Sequence, residues 1–211
     1  MEETRKTGPE PDTLIERCER LFMRYGIKSV TMDDVSRELG ISKKTLYQHF
    51  QNKDELIQKV TENHFTCQRQ EMESIIHHSA SAIEELLRIA SWMHAMSKNL
   101  NPGLVFDLRK YHPSAWQVFN EHRYTHILNT MRHNLERGKN EGLYREDADV
   151  EILARIYIAR VEMFIDNEVF PYDKFPPEKT YHVFMDYHIR GIATPKGIKL
   201  YEKIKSQNDG I

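Results

Sequence analysis

The sequence has little cysteine and no long apolar run. Its 211 residues include 2 cysteines, Cys18 and Cys67, and both fall within apolar helical patterns. They are therefore predicted to be reduced packing residues and not part of a disulfide framework. No apolar stretch approaches the roughly 20 residues that a membrane-spanning helix requires. The opening segment MEETRKTGPEPD is charged and lacks the apolar stretch of a signal peptide, so we expect a cytoplasmic protein.

Sequence motifs for catalysis are also missing. The chain has no Gly-x-Ser-x-Gly elbow, no phosphate-binding glycine loop and no Gly-x-Gly-x-x-Gly fingerprint. It has 11 histidines, and His122 and His126 are spaced so that a helix would place both on one face, with His133 two turns further on. No glutamate completes an H-E-x-x-H arrangement, and no cysteine lies near them in sequence. A solvated or pocket-lining role is favoured over a metal site, so we expect no enzyme, metal or cofactor.

Net charge is small but unevenly distributed. The formal charge is −2, yet the segment from Gly40 to Lys53 carries Lys43, Lys44 and His49 without any aspartate or glutamate. A local basic patch on a mildly acidic chain suits contact with phosphates. Because charged runs are more often simply solvated, this feature alone is weak evidence for a nucleic-acid partner.

Apolar residues recur at helical spacing along most of the chain, and no segment has a convincing strand pattern. Capping residues mark the predicted helix starts, and glycines or prolines mark many of the boundaries. The predicted helices run from Thr13 to Gly26 with Glu16 completing a capping box, from Thr31 to Gly40, from Ser42 through Phe50, from Lys53 to a break at 77–81, from Ser81 to about Asn99, from Asn101 and Pro102, from Pro113 to 138–142, from Asp149 to about Asn167, and from Glu178 to Gly191 before a charged tail.

This pattern predicts an all-α protein with a flexible arm over residues 1–11. A three-helix helix-turn-helix DNA-binding domain is predicted over 12–58. A helical bundle for ligand binding and dimerisation is predicted over 59–211.

The informative stretch is TMDDVSRELGISKKTLYQHFQNK, residues 31–53. Two short helices joined by a glycine-containing turn form a helix-turn-helix, in which the second helix enters the major groove. Gly40 can adopt the left-handed conformation that the turn needs. A small apolar core would join the two helices, formed by Val35, Leu39, Ile41 and Leu46. The second helix would present polar side chains outward, namely Lys43, Lys44, Thr45, Tyr47, Gln48 and His49.

These residues closely resemble the N-terminal domain of the TetR (tetracycline-repressor-like) family. The ordered matches are Phe22, Gly26, Thr31, Val35, Gly40, Ser42, Thr45, Leu46, Tyr47, His49, Phe50, Lys53 and Leu56. The chain departs from the family pattern at Ser36, where alanine is usual, and at Lys44, where glycine is common. The specific resemblance covers residues 13 to about 60, and the rest of the chain agrees only in length and helical layout.

The resemblance implies that Thr31, Tyr47, His49 and Lys53 contact DNA phosphates. Thr31 and Lys53 also stand at predicted helix N-termini, which favour anions on electrostatic grounds. Base edges would be read by residues of the second helix, for which the candidates are Lys43, Lys44, Thr45 and Gln48. Ser42, at the start of that helix, completes the predicted DNA-binding set. An alternative is a purely structural helical hairpin, in which the tyrosine and the histidine only pack.

Family members are generally homodimers that bind palindromic double-stranded operators. The helices from Asp149 and from Glu178 are apolar on more than one face, which suits a dimer interface or a fully internal helix. The candidate dimer residues are Ile152, Ile156, Met163, Tyr181, Phe184 and Tyr187. The resemblance further implies an apolar effector pocket, for which the candidates are Trp92, Met93, Met96, Phe106, Trp116, Phe119, Tyr124 and Met131.

The function predicted from these residues is a transcriptional regulator, with repression relieved by a small-molecule effector that shifts the population of bundle conformations. Two alternatives remain open. A DNA-binding protein without an effector would have the same helix-turn-helix, and each aromatic or methionine pocket candidate could instead be ordinary core.

Overall fold

The computed structural model describes residues 11–97, 103–165, 169–171 and 173–207, with the backbone alone described at 11–13, 97, 161–165 and 177. The helices are α1 Pro11–Tyr25, α2 Met32–Leu39, α3 Lys43–His49, α4 Lys53–His77, α5 Ala82–Ser97, α6 Leu104–Tyr111, α7 Pro113–Glu121, a π-helical segment His122–Ile127, α8 Leu128–Asn140, α9 Val150–Ile165, α10 Pro177–Ile192 and α11 Pro195–Gln207. No strand occurs in these ranges, which confirms the predicted all-α fold. The predicted arm at 1–10 and the helix start at Asn101 and Pro102 lie outside the described residues.

The chain forms two compact units. The first contains residues up to 67 together with the segment up to 119 that includes α6 and α7, and the second contains residues 68 to 98 and everything from 120 onward. This division differs from the predicted boundary after residue 58, because Leu104, Leu108 and Ala115 are buried in the same apolar cluster as α1 to α4. The spacing of these three residues indicates an apolar helix face, but it does not indicate which apolar cluster buries that face.

The first unit is built on α1. Leu14, Cys18 and Phe22 recur at intervals of four residues and are all buried in one cluster with Val35 and Leu46, as an amphipathic helix requires. Burial raises the pKa of the Cys18 thiol to about 11, so this cysteine is a protonated packing residue at neutral pH. Cys67, by contrast, is exposed and is not the packing residue that the sequence predicted.

The second unit is centred on α5, α8 and α9, with α10 and α11 completing its apolar cluster. A buried polar network crosses this core. The Asn134 amide donates to Glu85 Oε1 at 2.9 Å, the Tyr144 hydroxyl donates to Asn134 Oδ1 at 3.1 Å, and the Arg137 guanidinium donates to Glu85 Oε2 at 2.8 Å. The carboxylate and its neighbours thus satisfy one another inside the bundle, which makes burial of these polar groups tolerable.

One helix boundary and one additional helix differ from the sequence-based prediction. Helix α1 begins at Pro11, two residues before the predicted cap Thr13. The predicted charged tail is instead the helix α11, whose Tyr201 is buried in the core of the second unit. Its Gly197 approaches the Leu143 carbonyl so closely that a Cβ would lie 2.2 Å from the oxygen. The lysines of this segment suggested a solvated tail, but its apolar face packs against the core of the second unit.

None of the described helices is both long enough and apolar enough to cross a membrane.

Candidate DNA-binding site

The start of α2 is held by a capping box. Thr31 is the N-cap, and its hydroxyl oxygen accepts a hydrogen bond from the Asp34 backbone N–H at 3.2 Å. The Asp34 carboxylate in turn accepts from the Thr31 backbone N–H at 2.9 Å and from its hydroxyl at 2.6 Å. These bonds, led by the one from the hydroxyl, lower the pKa of Asp34. The helix therefore begins at Met32, directly after the predicted cap.

The turn between α2 and α3 depends on Gly40. Its φ of 70° lies in the left-handed region, where a side chain would be strained. The Gly40 N–H bonds to the Arg37 carbonyl at 3.2 Å, and the Ile41 N–H bonds to the Ser36 carbonyl at 3.1 Å. This is the α2 C-terminal cap that the sequence predicts, and it sets the direction in which α3 leaves the turn.

Helix α3 has one buried face and one exposed face. Leu46 is 0% exposed, whereas the other face carries five exposed side chains, namely Lys43, Lys44, Tyr47, Gln48 and His49. Five of the nine predicted DNA-binding residues therefore share one solvent-facing surface. That surface carries cationic, hydroxyl, amide and imidazole groups, which can hydrogen-bond to phosphates and to base edges.

Ser42 and Thr45 are engaged with each other at the start of α3. The Ser42 side chain accepts from the Thr45 backbone N–H at 3.0 Å, and the two hydroxyl oxygens lie 2.8 Å apart. Ser42 is thus the N-cap of α3, and Thr45 is half-buried. Both lie at the edge of the exposed surface, where DNA contact would compete with this local hydrogen bond.

Lys43 and Lys53 already have partners inside the protein. The Lys43 ammonium lies 2.6 Å from Asp33 Oδ2, which links the two helices of the motif. The Lys53 ammonium donates to the Ile27 carbonyl at 2.7 Å, and desolvation lowers the pKa of its amine. Lys53 therefore anchors the loop between α1 and α2 to the start of α4. Sequence patterns could not show this contact, because it joins residues 26 positions apart.

A residue that the sequence-based prediction omitted positions the motif. Arg17 on α1 donates from Nη1 to the Leu39 carbonyl at 3.1 Å and from Nη2 to the Glu38 carbonyl. These carbonyls belong to the last turn of α2 and have no partner within the helix. Arg17 thus fixes the C-terminal end of α2 against α1. The sequence signal is weak, because an arginine on a predicted helix ordinarily faces solvent.

Helices α6 and α7 are joined to this domain by polar contacts as well as by apolar ones. The Lys28 backbone N–H bonds to Asp107 Oδ2 at 3.0 Å. The His112 imidazole lies 2.7 Å from Asp54 in the first turn of α4. The α1–α2 loop and the start of α4 are therefore each held by the segment from α6 to α7.

The predicted pocket residues occupy different environments. Phe106 and Tyr124 are 57% and 49% exposed, Met131 packs in the core of the second unit, and Trp116 stacks on Phe119 with ring centroids 5.0 Å apart. The remaining three, Trp92, Met93 and Met96, are half-buried on α5. The eight pocket candidates thus divide among exposed, half-buried and core positions. Apolar character at helical spacing does not distinguish core, surface and pocket residues.

The predicted dimer residues also separate into two groups. Ile152, Ile156 and Tyr187 are 57%, 51% and 76% exposed, and Val183, which was not among the predicted dimer residues, is 62% exposed. Tyr181 and Phe184 pack against the core of the second unit instead, and the Met163 side chain lies outside the described residues. Both α9 and α10 therefore carry an exposed apolar pair spaced four residues apart.

The two histidines considered as metal ligands lie in the π-helical segment. The His122 and His126 ring centroids are 5.6 Å apart, and His126 Nε2 lies 3.2 Å from Arg69 Nη1. Within the described part of the chain, no three histidine, cysteine, aspartate or glutamate side chains are grouped so that they could hold a metal ion.

The geometry defines the class of the protein: its first unit is a helix-turn-helix domain with an exposed polar recognition helix. Residues 14–60 match the family model described as bacterial regulatory proteins, tetR family. The chain is 34% identical over 99 residues to the HTH-type transcriptional regulator YvaF of Bacillus subtilis, a match that covers 46% of this chain and 51% of YvaF. Residues 14–60 therefore form the DNA-binding domain that characterises the tetR family of bacterial regulatory proteins.

More distant similarities extend beyond the first unit. The HTH-type transcriptional repressor KstR2 of Mycobacterium tuberculosis is 22% identical over 149 residues, covering 67% of this chain and 72% of KstR2. The regulator FadR of Bacillus subtilis, solved in complex with stearoyl-CoA, superposes with a TM-score of 0.67 at 19% identity, covering 85% of this chain and 97% of FadR. Because this superposition covers 85% of the chain, the fold shared with FadR extends through the second unit. The YvaF match spans only about half the length of that relative.

Proposed function

We propose that this protein is a sequence-specific transcriptional regulator, most simply a repressor, that binds a palindromic operator as a homodimer. The observation that carries the proposal is the exposed face of α3, which presents Lys44, Tyr47, Gln48 and His49 beyond a capped and glycine-terminated α2. A structural hairpin has no need of these four exposed hydrogen-bonding side chains on one short helix. A regulator that reads genomic DNA acts in the bacterial cytoplasm, so we place the protein there, and we assign it no catalytic activity.

The apolar surface of the second unit supports dimerisation. Ile152 and Ile156 on α9, and Val183 and Tyr187 on α10, are each at least half exposed. Water-exposed apolar side chains on adjacent turns of two helices favour burial against a second copy. In a dimeric helix-turn-helix regulator the two recognition helices enter successive major grooves, roughly 34 Å apart.

Effector control is the second part of the proposal. The solved complex of FadR with stearoyl-CoA supports a ligand-binding role for this chain, and we place that role in the helical second unit. An effector that binds preferentially to one conformation of this unit would lower operator affinity by the ratio of its affinities for the two conformations, typically about 5- to 150-fold. A DNA-binding protein without an effector would lack this response.

The test is selection of bound sequences from random duplex DNA, followed by fluorescence anisotropy at near-physiological salt. We expect a palindrome, because an isologous dimer presents two identical recognition helices. Sequence-blind, salt-sensitive binding would support an architectural role, and an absence of binding would support the structural hairpin.

Variants of exposed tyrosines provide a matched comparison. Tyr47→Ala should weaken binding to all sequences, whereas Tyr111→Ala, an exposed tyrosine on α6 of the same unit, should not. Gln48→Ala should change the ranking of operator sequences by about 1–3 kcal/mol per lost bidentate contact. Equal losses on every sequence would assign Gln48 to the phosphate contacts.

A further inference from the structure

The second unit buries an arginine for which the described residues supply no carboxylate partner. Arg160 on α9 is 6% exposed, and no carboxylate of the described residues forms an ion pair with it. Its Cζ lies 3.9 Å from the ring centroid of Tyr157, 4.5 Å from that of Phe184 and 5.1 Å from that of Tyr181. Its Nη1 donates to the Met185 sulfur at 3.2 Å. We call these five residues the Arg160 cage.

The cage leaves the guanidinium only partly satisfied. Aromatic rings stabilise a cation through their faces but accept no strong hydrogen bond from the N–H groups in the guanidinium plane. The Tyr181 hydroxyl also hydrogen-bonds to Arg160. The thioether of Met185 is a weak acceptor, and Nε of Arg160 is buried with no hydrogen-bond partner among the described residues. Tyr181 adds no negative charge, because burial raises the pKa of its hydroxyl. Within the described part of the chain, no carboxylate therefore pairs with this buried positive charge.

Burial of a charge without an opposite charge is among the more costly arrangements in a protein interior. A hydrophobic residue at this position would pack against the same rings without that cost. The fork of N–H groups on an arginine matches the two oxygens of a carboxylate or a phosphate. An anion that enters the cage would offset the cost of this buried charge.

A second unsatisfied group lies beside the cage. His188 is 6% exposed, and its buried Nε2 has no hydrogen-bond partner among the residues that the structure describes. Its ring stacks on Phe184 at 5.8 Å and meets Tyr157 edge-on at 5.5 Å, so it borders the same two rings as Arg160. Burial, and then the nearby Arg160 charge, lower the pKa of His188 to about 4. An oxyanion beside Arg160 would offset that charge and could accept a hydrogen bond from the imidazole.

We propose that the Arg160 cage is an anion-binding subsite for the oxyanion head of an otherwise apolar effector, held by the Arg160 fork with His188 beside it. The head displaces the Met185 sulfur from Nη1, and the apolar body packs against the rings of the cage. This inference rests on the proposed effector-binding role of the second unit and adds the chemical class of the effector. Carboxylate and phosphate heads share the required chemistry.

The test uses the full chain and three matched probes below their micellar concentrations: decanoate, decyl phosphate and the uncharged decanol. Isothermal calorimetry and thermal unfolding should show binding and stabilisation by at least one anion, at least 10-fold tighter than by decanol. The stronger of the two anions identifies the head group. Binding of neither anion, or equal binding of decanol, would overturn the proposal.

Variants on α9 locate the subsite. Arg160→Met should lower anion affinity at least 10-fold and leave the weak binding of decanol unchanged. Arg155→Met removes an exposed arginine of the same helix, paired with Glu151, and should bind the anion as the wild type does. If Arg160→Met does not fold, Arg160→Lys keeps the charge without the fork and should still lose affinity for the anion. Unchanged affinity in the folded Arg160 variant would refute the assignment.

Nuclear magnetic resonance adds a readout that a purely structural arginine would not change. Saturating anion should raise the pKa of His188 from about 4, and decanol should not. Operator binding is measured separately by anisotropy. Anion binding without operator release would leave the subsite intact and contradict effector control, whereas release by decanol alone would support effector control and contradict the anionic subsite.

Discussion

The buried His188 predicts a loss of stability in mild acid. Burial and the Arg160 charge hold its pKa at about 4 in the folded protein, against an ordinary value of about 6.5 in the unfolded chain. Between about pH 6.5 and pH 4, His188 is therefore protonated in the unfolded chain but not in the folded protein. Stability is retained above the unfolded pKa and decreases as the pH falls toward the folded pKa.

The magnitude follows from the two pKa values. Integration of the proton-binding difference from pH 7.5 to pH 5 gives a loss of about 2 kcal/mol from this residue. For a chain of this length that corresponds to about 4–8 °C in Tm. Carboxylates with lowered pKa values, such as Glu151 at about 2, lose their contribution mainly below this pH range.

The assay is urea unfolding at pH 7.5 and at pH 5, at one fixed protein concentration, for the wild type and His188→Phe. Phenylalanine keeps a ring against Phe184 and does not titrate. Any constant packing cost of the substitution cancels when each protein is compared with itself at the two pH values. We expect the wild type to lose about 2 kcal/mol more than the variant. Equal losses in both proteins would refute a buried, neutral His188.

Three further predictions concern the first unit and the core. Lys53→Met should cost about 1 kcal/mol of stability, because the Ile27 carbonyl loses its hydrogen-bond donor. The same variant should reduce the slope of DNA affinity against salt concentration by about one unit per lost phosphate contact. An unchanged slope would mean that Lys53 only anchors the loop and does not contact a phosphate. Asp33→Asn should release Lys43 and tighten DNA binding about 2- to 10-fold in anisotropy titrations, and weaker binding would mean that the ion pair positions the lysine. Gly138→Ala places a Cβ 1.9 Å from the Tyr144 ring and should destabilise the second unit by about 1–3 kcal/mol in urea, so wild-type stability would contradict the packing of that ring.

The helix-turn-helix was predictable because its signals are local. The Thr31 and Asp34 capping pair spans three residues, and the Ser42 cap of α3 and the left-handed Gly40 depend on their immediate neighbours. Such contacts form within one or two helical turns, so residue type and spacing are enough to identify them. The outward set on α3 follows from the same periodicity once Leu46 is assigned to the core.

Contacts between distant residues were not predictable in this way. The apolar face of α6 was visible in sequence, but its burial against the helix-turn-helix domain depends on Leu104 and Leu108 meeting α1 to α4. The same holds for α11, whose many lysines concealed a face that packs through Tyr201. Periodicity shows that a face is apolar and leaves open what will cover it.

The contacts of buried charged side chains were the least predictable from sequence. The sequence by itself determined the fold class, the helix-turn-helix and the outward face of its recognition helix, because all three follow from short-range patterns. Only the tertiary structure decided that Lys53 binds the Ile27 carbonyl and that Arg160 lies among three aromatic rings. A charge on a helix is ordinarily solvated, and only packing between separate helices can remove the water from it.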